Sequence, residues 1–378
     1  MSEKVLMKGN EALGEAAIRA GCGAYFGYPI TPQNEITAYM AAQMLDRGRV
    51  FIQAESEVAA INMVFGASSA GARAMTSSSS PGISLKQEGM SYAAGADIPL
   101  VLVNVVRGGP GLGSIAPSQA DYFQSTRGGG HGDYYCLVLA PKSVQECADF
   151  TYEAFDLADK YRVPVIVQAD GMIGQMMEAV TLPPERDLAS LPGREWAVGN
   201  MASQGRESRH ITSIHLVPEE LEAVTRERYR RYDEIKANET RYEYAGPAGA
   251  PPVFGGVKCE GLDQAAAADI TLVAYGTSAR VCLGARQLAE KAGIAAGLFR
   301  PVTLWPFPYA ALGKIAGSGK PLLTVEMSLG QLVEDVKLSL LETPEGSRRA
   351  PVHLVGHSGG VIPTEEEVFA EIKKILGK

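Results

Sequence analysis

Along the N-terminal half of the chain, apolar residues come in short unbroken runs. "AYFGY", "VFIQA", "ARAMTS", "PLVLVNVV", "YCLVLA" and "VPVIVQA" are bounded by Gly, Pro or polar positions. Runs of this kind predict strands buried on both faces. Between them lie amphipathic segments, "NEALGEAAIRAG", "PQNEITAYMAAQMLDRG" and "SEVAAINMVFGASSAG", which predict helices. Strand–helix alternation predicts a doubly wound parallel sheet of the α/β class. The pattern breaks over 181–255. There "TLPPERDLASLPGREW" and "YAGPAGAPPVFGG" read as irregular, and "PEELEAVTRERYRRYDEIKANE" reads as a helix whose charges form a solvated face. From Asp269 the alternation resumes with "DITLVAYGT", "IAAGLFRP", "PLLTVEM" and "PVHLVGH", closing on the helix "TEEEVFAEIKKILGK". The expected organisation is a first domain at 1–180, a wrapping or bridging linker at 181–255, and a smaller α/β domain at 256–378.

Composition narrows the function classes. A length of 378 residues suits two domains or at most three, and 46 % hydrophobic with 21 % charged residues is ordinary for a globular chain. The net charge of −8 argues against nucleic acid or an anionic membrane as the main partner. No apolar run approaches the roughly 18 residues of a membrane span, and no basic-then-apolar signal pattern opens the chain. A cytoplasmic location is the expectation. The five cysteines, Cys22, Cys136, Cys147, Cys259 and Cys282, include no C-x-x-C pair. They read as reduced, buried, small hydrophobes rather than as ligands of zinc or an iron–sulfur cluster. The histidines show no metal-binding spacing, and no G-x-S-x-G elbow is present.

Ligands of parallel sheets gather at the carboxyl ends of strands, and four loops stand there. In "GYPITP", Pro29 and Pro32 stiffen the chain on both sides of Thr31. Pro32 is placed to open the next helix, so the Thr31 hydroxyl is either its N-cap or a donor aimed at a ligand. In "QAESEVAA", Glu57 opens a helix that is almost free of charge. A carboxylate there either complements the helix dipole or, facing apolar surroundings, holds a proton; Glu55 is its neighbour. "TSSSSPGISLKQEG" offers hydroxyls and backbone N–H groups but is no P-loop. In "VVRGGPGLGS", Arg107 ends a strand, as a surface ion-pair partner or as a two-point clamp on a carboxylate, with Arg127 as the rival for that role. "ADG" at 169–171 followed by Asn200 mimics the Mg²⁺–diphosphate motif of thiamine enzymes, but the first Gly is Ala and Pro183-Pro184 interrupts the segment.

In this order, "GYPITP", "ESE", "TSSSSPG" and "VRGGPGLG" resemble the α subunit of 2-oxoacid:ferredoxin oxidoreductases. "RGGPGLGSIAPSQADYF" and "GGGHGDY" are most similar to the branched-chain, 2-oxoisovalerate members. The resemblance covers nearly the whole chain. It implies a pyrimidine-binding domain followed by a transketolase C-terminal-like domain, here including "VAYGTSA" and "LFRPVTLWPFP". It assigns Glu57 and Pro29 to thiamine diphosphate, with Glu57 bonded to N1′ of the aminopyrimidine, and Thr31 and Arg107 to the 2-oxoacid. It also implies oxidative decarboxylation to acyl-CoA and CO₂. Mg²⁺ and the 4Fe-4S clusters would then reside on partner chains: a β subunit with the diphosphate site, and γ or δ subunits that pass electrons to ferredoxin. A 2-oxoglutarate-specific member is one alternative. A transketolase-like thiamine enzyme without ferredoxin is another. A non-catalytic module binding NAD or ATP is a third, which the missing nucleotide fingerprint disfavours.

Overall fold

The computed structural model describes residues 4–198, 209–247, 253–256 and 262–378. The chain forms two compact units, 1–106 with 124–232, and 107–123 with 233–378. In chain order the first elements are β1 (Val5–Lys8), α1 (Gly9–Arg19), β2 (Ala24–Gly27), α2 (Asn34–Met44), β3 (Val50–Gln53), α3 (Glu57–Ser69), β4 (Ala74–Ser78), α4 (Pro81–Gly95) and β5 (Leu100–Val106). They continue with α5 (Tyr122–Thr126), β6 (Leu137–Leu139), α6 (Val144–Tyr161), β7 (Pro164–Asp170), α7 (Gly171–Gln175), β8 (Met177–Val180) and α8 (Pro218–Glu239).

Six strands of the first unit run parallel in the order β6-β7-β5-β4-β2-β3. Strands β2, β4, β5, β6 and β7 are buried along their whole length, which is why their apolar runs are unbroken. Only the edge strand β3 is largely exposed. Strands β1 and β8 form a separate antiparallel ribbon, too short for its pattern to show in sequence. Helix starts are fixed locally: the Ser56 hydroxyl accepts from Ala59 N at 3.1 Å, and that of Ser143 accepts from Glu146 N at 3.1 Å.

The charged helix α8 departs from expectation, because part of its charge is not solvated. Arg226 and Arg230 make exposed pairs with Glu222 and Glu227. Arg228 is buried instead, donating from Nε to Asp97 Oδ1 at 3.0 Å and from Nη2 to the Gly95 carbonyl at 2.9 Å. Arg231 joins it on Asp97 at 2.5 Å. Tyr232, fully buried, meets the Tyr135 ring edge-on, with centroids 5.5 Å apart. Two guanidinium groups on one carboxylate make burial of the charges tolerable.

The second unit comprises β9 (Tyr242–Ala245), β10 (Val253–Gly255), β11 (Ile270–Val273), α9 (Gly276–Lys291), β12 (Ala296–Pro301), β13 (Thr303–Trp305), α10 (Tyr309–Ala316), β14 (Leu322–Glu326), α11 (Leu332–Leu338), β15 (Val352–Gly356) and α12 (Glu365–Leu376). Its sheet has the order β10-β9-β12-β11-β14-β15, with β11, β12, β14 and β15 parallel and the β9–β10 hairpin antiparallel. Strand β9 lies at the start of the stretch read as irregular. Four residues are too few to display a period, and what holds it is Glu243, ion-paired with buried Arg300 of β12 at 2.8 Å. Ile270, Leu272, Leu298, Leu323 and Val325 pack with Val368 and Ile372 of α12 into the core.

Segment 107–123 is stitched into this unit by side chains. Gln119 Nε2 donates to the Tyr275 carbonyl at 2.8 Å, and its Oε1 accepts from Met327 N and Ser278 Oγ at 2.9 Å each. Ser118 Oγ donates to Met327 O at 3.1 Å, and Tyr122 OH to Asp335 Oδ2 at 2.5 Å.

Cys22, Cys136, Cys147 and Cys282 are buried free thiols, and desolvation pushes Cys22 and Cys136 up to about 12. Cys259 lies outside the described residues. Among the described residues no helix is long and apolar enough to cross a membrane.

Candidate active site

Glu57 is the first residue of α3 and only 6 % exposed, whereas Glu55 is exposed and accepts from its neighbour Ser56 Oγ at 3.0 Å. Burial therefore separates the two carboxylates of "ESE". What packs on Glu57 is the start of α4. A Cβ added at Gly82 would stand 2.6 Å from Glu57 Oε1, 3.0 Å from its Cγ and 2.1 Å from Ser78 Oγ. The glycine is required because the carboxylate and the Ser78 hydroxyl both press against its α-carbon. Ser78 ends β4, and its neighbour Ser80 takes the unusual φ of 20° and ψ of −76°, with its N–H donated to Asn104 Oδ1 at 3.3 Å. Strained backbone of this kind collects where a loop is held for a ligand.

The loop "YPITP" is tied to the same strand end. Ser77 Oγ bonds Gln33 Oε1 and Tyr25 OH at 2.6 Å each, and Gln33 Nε2 donates to the Tyr28 carbonyl at 3.2 Å. Adjacent residues of β4 thus serve both motifs, Ser77 reaching the proline loop and Ser78 lying at Glu57. On its other side the loop is gripped through the Pro32 carbonyl, which accepts from Asn10 Nδ2 at 2.7 Å and from Gln175 Nε2 at 2.8 Å.

Thr31 does not cap the helix. The Thr31–Pro32 bond is cis, α2 begins only at Asn34, and its N-cap position is Gln33. Pro32 is therefore part of a turn instead of the first helical residue. Asn34 Nδ2 donates to Thr31 Oγ1 at 3.4 Å, and Pro29 is exposed beside it.

Arg107 begins the segment that belongs to the second unit. It is not a surface residue. It is 8 % exposed, pairs with Pro117 as an isolated bridge, and donates from Nη2 to the Leu112 carbonyl at 2.9 Å, so the guanidinium supports its own glycine-rich loop. That loop also needs its glycines for contact. A Cβ at Gly108 would stand 2.8 Å from the Gly359 carbonyl carbon, and Ser114 Oγ donates to Gly359 O at 2.9 Å. The rival Arg127 is exposed.

Asp170 caps α7, accepting on Oδ1 from Met172 N at 3.1 Å and Ile173 N at 3.2 Å, and Asn200 lies outside the described residues. Among the described residues no group of three His, Cys, Asp or Glu side chains could hold a metal ion.

The sequence reading missed Lys86. It is fully buried on α4, with Nζ donating to the Glu57 carbonyl at 3.3 Å. Desolvation pulls it down from the usual lysine range to about 7, against the opposing pull of the Glu57 charge. Its signal was the four-residue step from Gly82, which puts both on one helix face.

The site suits an aminopyrimidine: a buried carboxylate for a ring nitrogen, and hydroxyls at a strand end. Comparison with known proteins gives the family. A sequence model of the family described as pyruvate flavodoxin/ferredoxin oxidoreductase, thiamine diphosphate-binding, matches residues 15–244. One for pyruvate:ferredoxin oxidoreductase core domain II matches residues 268–368. The chain is 45 % identical to the ketoisovalerate oxidoreductase subunit VorB of Methanothermobacter marburgensis, over 99 % of this chain and 98 % of that one. It is 36 % identical to the 2-oxoglutarate synthase subunit KorA of the same organism, over the full length of both. Among solved structures, a 2-oxoglutarate:ferredoxin oxidoreductase from Magnetococcus marinus superposes with a TM-score of 0.81 at 25 % identity, over 99 % of this chain. The match spans 66 % of that longer chain. A split-gene transketolase shares the fold at a TM-score of 0.57 and 16 % identity. The chain belongs to the 2-oxoacid:ferredoxin oxidoreductase family, as an alpha-type subunit with a thiamine-diphosphate-binding domain.

Proposed function

We propose that this chain provides the pyrimidine half of a thiamine diphosphate site in a cytoplasmic assembly that converts a small branched 2-oxoacid, 2-oxoisovalerate first, to acyl-CoA and CO₂ while reducing ferredoxin. The observation that carries this reading is the buried Glu57 carboxylate, packed on Gly82 and Ser78 in a chain whose 45 % relative is named for ketoisovalerate. When bound, thiamine diphosphate supplies the carbon nucleophile that adds to the 2-oxo group and the sink for the electrons left by departing CO₂. Glu57 holds the proton shared with N1′ of the aminopyrimidine, in a buried place where water does not compete for it. Pro29 lines the cofactor, and Thr31 offers its hydroxyl to the substrate from a loop gripped on two sides. Arg107 takes the 2-oxoacid carboxylate, where a guanidinium gives two parallel bonds. Mg²⁺ and the diphosphate are held by a β-type partner, and the 4Fe-4S clusters by further subunits.

The substrate preference rests on loop 108–116, "GGPGLGSIA", which has no basic residue for a second carboxylate. The test is kcat/KM of the purified complex for 2-oxoisovalerate and 2-oxoglutarate with a viologen acceptor. Other branched 2-oxoacids should fall within about a few hundred-fold of the best one, because an apolar pocket discriminates weakly. Preference for the dicarboxylate refutes the assignment and favours the 2-oxoglutarate reading. The isolated chain should reduce no dye, and turnover without partners would refute the divided site.

A further inference from the structure

The reaction as described uses Glu57 and leaves unexplained the cation beneath it. Lys86 lies one helical turn beyond Gly82 on the face of α4 that meets α3. One turn further on, a Cβ at Gly89 would stand 2.6 Å from both Ile61 Cγ1 and Ile61 Cγ2, so the two helices touch almost backbone to side chain above and below the lysine. Lys86 is 0 % exposed. Among the described residues the acceptor of its ammonium is the Glu57 carbonyl, at 3.3 Å.

A methionine or leucine would fill this space without the desolvation cost of an ammonium. The cost is real, since burial brings the group down to about 7 even against the opposing pull of the Glu57 charge. Glu57 is the charged group acting on it; on its own helix, Glu88 is exposed and bonded by Tyr92 OH at 2.6 Å. What the cation gains is a hold on one particular residue. Glu57 is the first residue of its helix, in the turn where fraying begins, and the Ser56 cap ties Ala59 N rather than Glu57 itself. A carboxylate that must address one ring nitrogen needs that turn fixed.

We propose that Lys86 is a positioning residue for Glu57: by bonding the Glu57 carbonyl from within the α3–α4 contact, it locks the first turn of α3 and with it the direction of the catalytic carboxylate. This rests on the reading of Glu57 as the partner of the aminopyrimidine. It predicts that Lys86 acts through Glu57 and not through general stability.

The test is a double-mutant cycle in the assembled complex with Lys86→Met and Glu57→Gln, reading both the Kd for thiamine diphosphate on the cofactor-depleted complex and kcat and KM for the 2-oxoacid. Lys86→Met should lower kcat and weaken thiamine diphosphate binding by roughly tenfold or more, the worth of one hydrogen bond to a charged group, with KM for the 2-oxoacid unchanged. In the Glu57→Gln background the same substitution should add little. If Lys86→Met does not assemble, Lys86→Gln, which keeps an N–H donor and sheds the charge, takes its place in the cycle. Wild-type kcat and Kd in the lysine variant, or losses that add in full to those of Glu57→Gln, overturn the proposal while leaving the Glu57 assignment standing. An unimpaired Glu57→Gln enzyme overturns the underlying reading instead.

Discussion

A single added methyl group tests the packing at the site most directly. In Gly82→Ala the new Cβ stands 2.1 Å from Ser78 Oγ and 2.6 Å from Glu57 Oε1, both far inside contact distance. Something must move by about 1 Å, since carbon–oxygen contacts settle near van der Waals separation. Ser78 is 0 % exposed, so both its hydroxyl and the Glu57 carboxylate must give way to the new carbon. Two stability effects compete. Alanine in the first turn of α4 gains about 0.5–1 kcal/mol over glycine, and overpacking costs about 1–3 kcal/mol. The sum is a modest destabilisation of up to about 2.5 kcal/mol, which leaves the fold intact. Activity should suffer far more, because a misplacement of about 1 Å at a catalytic group costs about 10²-fold. The assay pairs denaturant melts of the chain with kcat/KM of the assembled complex. Gly66→Ala on α3 is the control: no atom stands within 4 Å of its Cβ, so it should gain about 0.5–1 kcal/mol. If Gly82→Ala retains wild-type turnover, Glu57 is not held where this packing places it, and its catalytic role falls.

Glu57→Gln should preserve assembly and cut turnover by on the order of 10²-fold or more, while exposed Glu55→Gln stays near wild type; equal behaviour would refute the assignment within "ESE". Arg107→Lys should raise KM for the 2-oxoacid by roughly 10- to 100-fold, since an ammonium cannot reproduce the two-point clamp; a raised KM in Arg127→Lys alone would transfer the role. Lys86 should also print itself on the pH dependence of stability. Burial pulls it down to about 7 in the folded chain, from the 10.5 of an unburied lysine. Between those values the unfolded chain carries the proton and the folded chain does not. Stability therefore rises with pH across the window, by up to about 1.4 kcal/mol per unit, and Lys86→Met should remove that slope from a urea-melt series. An identical slope in both proteins would refute the burial of a titrating lysine.

The sequence disclosed whatever was local. Unbroken apolar runs marked the parallel strands because those strands are covered on both faces, and "GYPITP" and "ESE" stood out because stiff or charged residues at strand ends are rare enough to notice. The hidden features depend on distant partners. Arg107 reads as the end of strand β5, yet the twelve residues after it are held by bonds from Gln119 to Tyr275 and Met327, more than 150 positions away. No periodicity reports that the segment following β5 belongs to a different compact unit from the strand itself. Thr31 is a different case: the sequence left its hydroxyl as a cap or a ligand donor, and the cap falls away because the helix begins at Asn34 while Asn10 and Gln175 brace the loop through the Pro32 carbonyl.

Lys86 is the most instructive omission. A lysine in "PGISLKQEG" reads as the solvent-facing position of an amphipathic helix, and only the glycines at 82 and 89 on the same face contradict that. Glycines at that spacing mean that another helix comes too close for side chains, and a residue between them must share the contact. Polar residues in such a contact cost stability unless they are satisfied, so their presence points to a task that an apolar residue could not perform. Here the three positions address three heights of α3: Gly82 makes room for the Glu57 carboxylate, Lys86 holds its carbonyl, and Gly89 seats Ile61. The α4 face is thus shaped around one residue of α3, and the apparent helix dipole carboxylate of Glu57 is the group that the surrounding sequence is arranged to hold.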